Sequence, residues 1–177
     1  GARSGVINIA SNDADENPFR ILVGGGGLGD LFTEPFANNS QGWTFDTNWG
    51  IGSATASVSH TTLGPDPAVD HTPTSDNGIA GYAIGGSTGT DLFSARYITS
   101  PVINTNVSGD VHLEFWRWLN SDYPDFMFST VEVWNGSSWV VIFTATSSPL
   151  IEDSAWTQVD FDVTAHKNAG FRVRFGV

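Results

Sequence analysis

The chain contains no cysteine and one methionine, and only seven lysines and arginines stand against nineteen aspartates and glutamates. Without cysteine there are no disulfides, no thiolate metal ligands and no sulfur nucleophile. The few basic residues are single and scattered, whereas a nucleic-acid surface needs clustered Lys and Arg to neutralise phosphates. Binding to nucleic acid or to an anionic membrane is therefore not expected at a net charge of -12. No run approaches the roughly 18 apolar residues that suggest a membrane span, so membrane insertion is not expected either. The opening GARSGV lacks the apolar core of a signal peptide, which places any export signal outside this segment.

Helical periodicity is nearly missing too. Short candidates around 101–106 and 163–169 sustain no apolar repeat beyond about one turn. What is abundant is aromatic: seven Trp, twelve Phe and three Tyr, residues that suit the pleated surface of a sheet. Alternating segments recur at 43–47, 53–60, 78–85, 94–101, 110–119, 129–134, 138–146, 155–163 and 169–177, separated by Gly, Pro, Asn and Asp. This spacing predicts an all-β fold, an antiparallel β-sandwich of jelly-roll type beginning near Leu28. NGSS at 135–138 reads as a hairpin turn, with Asn-Gly supplying positive backbone angles. A further pair of strands, GVINIAS (5–11) and FRILVGGGG (19–27), precedes the sandwich. Its closing glycines read as a joint, giving an expected division into residues 1–27 and 28–177. Those glycines do not make a phosphate loop, because neither the following helix nor the motif's lysine is present.

In LEFWRWL one face of the strand carries Leu113, Phe115 and Arg117, and the other carries His112, Glu114, Trp116 and Trp118. Bulky groups on both faces mean either that loops roof the outer face, or that Trp116 and Trp118 line a groove for a flat ligand. With His112 and Asp122 nearby, these four residues are the candidate ligand-binding set. Catalytic constellations are weakly marked. There is no HExxH or His cluster for zinc and no GxSxG elbow. Glu114, Asp122, Asp125, Glu132, Glu152 and Asp153 supply carboxylates without selecting a facing pair. No enzymatic activity is expected.

Calcium asks for six to eight hard oxygens, which acidic and amide-rich loops provide. FTEPFANNSQGW (32–43) offers Glu34, Asn38 and Asn39, DHTPTSDNG (70–78) offers Asp70 and Asp76, and TGTDLF offers Asp91. Ordinary turns in which Asp or Asn accepts nearby backbone N–H groups account for the same composition.

PDPAVDHTPTSDNGIAGYAIG, followed by SARYITSPVI and VHLEFWRWLNSD, resembles the middle of a MAM-type domain, the jelly-roll adhesion module, in its bacterial variety. The likeness covers about residues 30–177, and FTEPFANNSQGWTFD is similar to that module's first strand. It implies a calcium ion between an acidic residue of that strand, Glu34 or Asn38 here, and Asp70 of the Asp-His-Thr triplet. Ala37 stands where the family often has an acid, and the cysteines of the animal modules are missing. The family closes with a further strand ending in paired aspartates, so the likeness implies either a truncated fragment or a missing partner strand. GVINIASNDADENPFRILVGGGG resembles the last strands of immunoglobulin-like repeats of bacterial surface proteins. Together the resemblances imply a non-catalytic binding or adhesion module of a secreted or cell-surface bacterial protein, with a structural calcium ion and an extracellular protein or glycan as partner. The alternatives are an accessory carbohydrate-binding domain of a secreted hydrolase, or a structural spacer or assembly domain.

Overall fold

A computed structural model describes residues 19–24, 29–57, 64–87, 94–146 and 148–177. Eleven strands run in order: β1 (Phe19–Gly24), β2 (Phe32–Glu34), β3 (Thr44–Phe45), β4 (Trp49–Ser53), β5 (Gly78–Tyr82), β6 (Tyr97–Thr99), β7 (Asp110–Arg117), β8 (Thr130–Trp134), β9 (Trp139–Thr144), β10 (Thr157–Asp162) and β11 (Val173–Gly176). One sheet has the order β10-β7-β1-β2, the second β3-β6-β11-β8-β9, and β4 pairs with β5 as a separate ribbon. All pairings between these strands are antiparallel. The chain passes repeatedly from one sheet to the other, at β2 to β3, β6 to β7 to β8, and β9 to β10 to β11. The expected antiparallel sandwich is thus the fold observed. Among the described residues no helix is long and apolar enough to cross a membrane.

Alternation explains the core. On β7, Val111, Leu113 and Phe115 are buried while His112, Glu114 and Trp116 between them are only half-buried. They meet Ile98 of β6, Val131 and Val133 of β8, and Val173 of β11, with Trp43 and Phe171 filling the space between the sheets. Side chains of period two from facing sheets interdigitate in this way across a layer about 10 Å thick.

β1 lies inside the first sheet, bonded to β7 on one side and β2 on the other. The boundary drawn at residues 27 and 28 therefore runs between hydrogen-bonded neighbours of one sheet. Segment 5–11 and glycines 25–27 lie outside the described residues.

Other local expectations shift. The strand expected at 53–60 is instead Trp49–Ser53, and the chain leaves it at Ala54, whose N–H donates to the Asn77 carbonyl. Two glycines in WGIGS hide that strand from a propensity reading. The helix candidate at 101–106 is extended, and Ile103 bridges to Phe171. The other is realised only as a 3₁₀ turn at Thr164–His166. In the 135–138 turn only Gly136 has a positive angle, φ 98°. Asn135 contributes through its side chain, whose Oδ1 accepts the N–H groups of Ser137 and Ser138.

Candidate functional site

The segment at 64–77 lies across one end of the sandwich and is fastened at several points. Asn77, with φ 52°, is its latch. Its Oδ1 accepts the Asp70 N–H at 2.7 Å, and its Nδ2 donates to the carbonyls of Ala54 and Ala68. Trp156 Nε1 donates to the Val69 carbonyl at 3.1 Å. Immediately after the latch, Gly78 starts β5 against the chain that follows β2. A Cβ there would stand 2.5 Å from the Phe36 carbonyl oxygen, so only glycine lets the two backbones touch.

This approach brings Glu34 and Asp70 to one small cavity of about 80 Å³, bordered also by His71, Thr72, Gly78 and Trp116. Glu34 is 1% exposed. Its Oε1 accepts the Phe36 N–H at 2.8 Å and its Oε2 accepts Trp43 Nε1–H at 2.9 Å. Burial pushes its carboxyl above the usual range, and those two hydrogen bonds oppose the rise. Asp70 is also buried, and its Oδ2 accepts the Thr72 hydroxyl at 2.9 Å. His71 stacks flat on Trp116, with ring centroids 3.5 Å apart and planes 13° from parallel. Burial lowers the pKa of His71, and the neighbouring Asp70 charge opposes this.

A larger cavity of about 280 Å³ shares walls with the first and opens between the β4–β5 ribbon and the end of β7. Trp116 and Trp118 both border it, together with Trp49, Tyr82 and Trp156. Trp118 meets Trp156 edge-on at 5.8 Å, and Trp49 meets Tyr82 edge-on at 5.7 Å.

The remaining candidates lie elsewhere. Asn38 is exposed and accepts the Ser40 N–H, while its neighbour Asn39 ties the turn to Trp43 through both side-chain atoms. Asp76 receives the Ser53 hydroxyl on its backbone carbonyl. Asp91 lies outside the described residues. His112 sits on the same face of β7 as Trp116 but four residues away, roughly 13 Å along a strand. Its Nδ1 is 2.8 Å from Asp160 Oδ1, and that hydrogen bond raises its pKa. Asp122 accepts the N–H of Tyr123, its own neighbour. Among the described residues no group of three or more His, Asp or Glu side chains stands as a ready metal cluster.

Three positioning residues were not singled out from the sequence: Asn77, Trp43 and Trp156. Trp43 belongs to the Gly-Trp pair and Asn77 to the Asp-Asn-Gly run, so a local signal existed for both. Trp156 has none, because its partner Val69 is far away in the chain.

No family model, no curated protein and no solved structure matches this chain.

Proposed function

We propose that the chain is a non-catalytic binding or adhesion module of an exported multidomain protein, in which calcium fastens the 64–77 segment to the start of the sandwich. The observation that supports this reading is that two buried acidic residues, Glu34 and Asp70, border one small cavity. Two carboxylates withdrawn from water on the border of one cavity are costly unless a cation or a proton compensates them. Each Glu34 oxygen retains a lone pair beyond its hydrogen bond, and the Phe36 carbonyl lies at the same junction. These hard oxygens fit calcium, and water would complete the set of six to eight ligands. Such an ion would supply positive charge and no bond chemistry. The chain's own residues hold the loop: Asn77 and Trp156 bind its backbone, and Thr72 orients Asp70.

His71 occupies one face of Trp116 and Trp156 packs on Trp118. That covering favours a surface that presents its loops to an extracellular protein over a flat aromatic platform for sugar stacking.

Calorimetric titration of calcium into chelator-treated protein tests the reading, repeated with Asp70→Asn. Heat of binding and a raised melting temperature are expected in the parent, both strongly reduced in the variant, since a ligand stabilises only the state it binds. No binding by the parent removes the calcium clamp. Hydrolysis of a peptide or glycan substrate that disappears with Asp70→Asn overturns the non-catalytic reading.

A further inference from the structure

The larger cavity carries a charge balance that the calcium clamp does not use. Arg117 lies on its wall, but its Nε and Nη2 donate to the two oxygens of Asp153 at 2.9 and 3.1 Å. That charge is cancelled locally. Asp66 lies on the same wall, and its backbone N–H donates to the Ser57 hydroxyl. Among the described residues its carboxylate makes no hydrogen bond or ion pair. Of the two charged side chains that border the cavity, Asp66 is thus the uncompensated one; a third charged group, Arg96, donates through Nη1 to the hydroxyl of Tyr82 on the cavity wall at 2.8 Å.

The backbone on either side of Asp66 is fastened. Before it, the Gly64 N–H donates to Glu152 Oε1 and the Gly64 carbonyl accepts Asn120 Nδ2–H, both at 3.1 Å. After it, the Val69 carbonyl accepts the indole N–H of Trp156. Asp66 thus sits in a short span pinned at both ends to the wall formed beyond β7 and before β10. Trp118 and Trp156 stand on this wall at 73° to one another, and Trp49 and Tyr82 make a second corner at 74°. A corner of two rings offers π electron density in two directions. This suits a tetrahedral ammonium better than a flat ring, which would need parallel planes. The volume of about 280 Å³ admits a compact ligand only.

We infer that this cavity is a receptor site for a small organic cation, an amine or quaternary ammonium on a short apolar body, paired with Asp66 and held against the Trp118–Trp156 corner. An anion would meet Asp66 and find Arg117 already engaged. A sugar would bring several hydroxyls to walls that are mostly hydrocarbon and aromatic. The inference does not depend on calcium at Glu34 and Asp70, and calcium titration and the experiment below fail or succeed separately.

Choline and its uncharged carbon isostere, in which a tert-butyl group replaces the trimethylammonium, separate charge from shape. Binding to the full chain is followed by tryptophan fluorescence and by calorimetry. Choline is expected to bind about tenfold more tightly than the isostere, the factor that corresponds to about 1.4 kcal/mol. Asp66→Asn should remove most of that preference while leaving the melting temperature unchanged, because the carboxylate supports no other group. Trp118→Leu should weaken choline binding further. Should this variant unfold, Trp118→Phe, which keeps a smaller aromatic ring, serves instead, with a smaller loss of choline affinity expected. Equal binding of the two probes, absence of choline binding, or an unchanged preference in Asp66→Asn overturns the assignment.

Discussion

Replacing Arg174 with leucine probes the most concentrated electrostatic contact of the second sheet. Arg174 on β11 lies directly opposite Glu132 on β8, and its Nη2 and Nε approach Glu132 Oε2 at 2.6 and 3.0 Å. The guanidinium carbon also stands 3.9 Å from the Tyr97 ring centre and 4.2 Å from that of Trp139, so the cation is sandwiched between two rings above a carboxylate. Glu132 is 5% exposed. Removing one partner of a buried pair typically costs about 3–5 kcal/mol, because the other charge stays buried and unpaired. The arginine side chain is about a fifth exposed, which moves the expectation towards the lower end. The lost ring contacts add about 0.5 kcal/mol each at this partly exposed site. Arg174→Leu should therefore lower the unfolding free energy by about 4 kcal/mol in urea denaturation followed by tryptophan fluorescence, without a change in slope. Adding Glu132→Leu should recover at least about 2 kcal/mol of that, since the orphaned carboxylate is then gone.

Tyr97 offers a second readout. Burial, followed by the Glu132 charge, raises its phenol pKa, and Arg174 opposes the rise, so the leucine variant should titrate at still higher pH by ultraviolet absorbance. A loss below about 1 kcal/mol, or two substitutions additive within about 0.5 kcal/mol, would refute the reasoning.

Gly78→Ala places a methyl group 2.5 Å from the Phe36 oxygen and 2.9 Å from the Ala37 Cα, both backbone atoms. It should cost about 1–3 kcal/mol and loosen the 64–77 segment, seen as faster hydrogen exchange at Asp70; unchanged exchange there would separate the glycine from the loop. The hydrogen bond to Asp160 raises the folded-state pKa of His112 above its unfolded value. The stability it contributes is present below about pH 6.5 and is lost as pH rises through the folded value. Asp160→Asn should flatten that slope, and NMR titration of the imidazole should show the pKa return towards its ordinary range. A slope that persists in the variant would point to another histidine.

Alternation of large side chains made most strands legible, and the misplaced ones share a cause. In 54–57 small residues follow one another without bulk, and they lack the apolar surface to hold a strand in a sheet; residues 58–60 lie outside the described residues. WGIGS has only two large residues to advertise β4, which is held by its ladder to β5. Glu34 and Asp70 border one cavity although they stand far apart in the sequence. Spacing along the chain carries no trace of this shared border, because both residues depend on the backbone meeting at Gly78 and Phe36. The His71–Trp116 stack is similar: it joins a loop to a strand, and each residue alone reads as an ordinary surface histidine and an ordinary sheet tryptophan. The doubled apolar faces of β7 did signal that something had to cover Trp116, and the 64–77 segment does so.

The placement of β1 and β11 bears on how the module would carry tension. β1 is hydrogen-bonded along both edges, to β2 and β7, and β11 likewise to β6 and β8. The short strands, three residues in β2 and two in β3, are left at the margins of their sheets. A pull delivered through β1 or β11 therefore meets two ladders loaded together instead of one that unzips from a free edge. Strain would be shared across both sheets before either strand slipped, a mechanical robustness built from hydrogen-bond topology without any covalent cross-link.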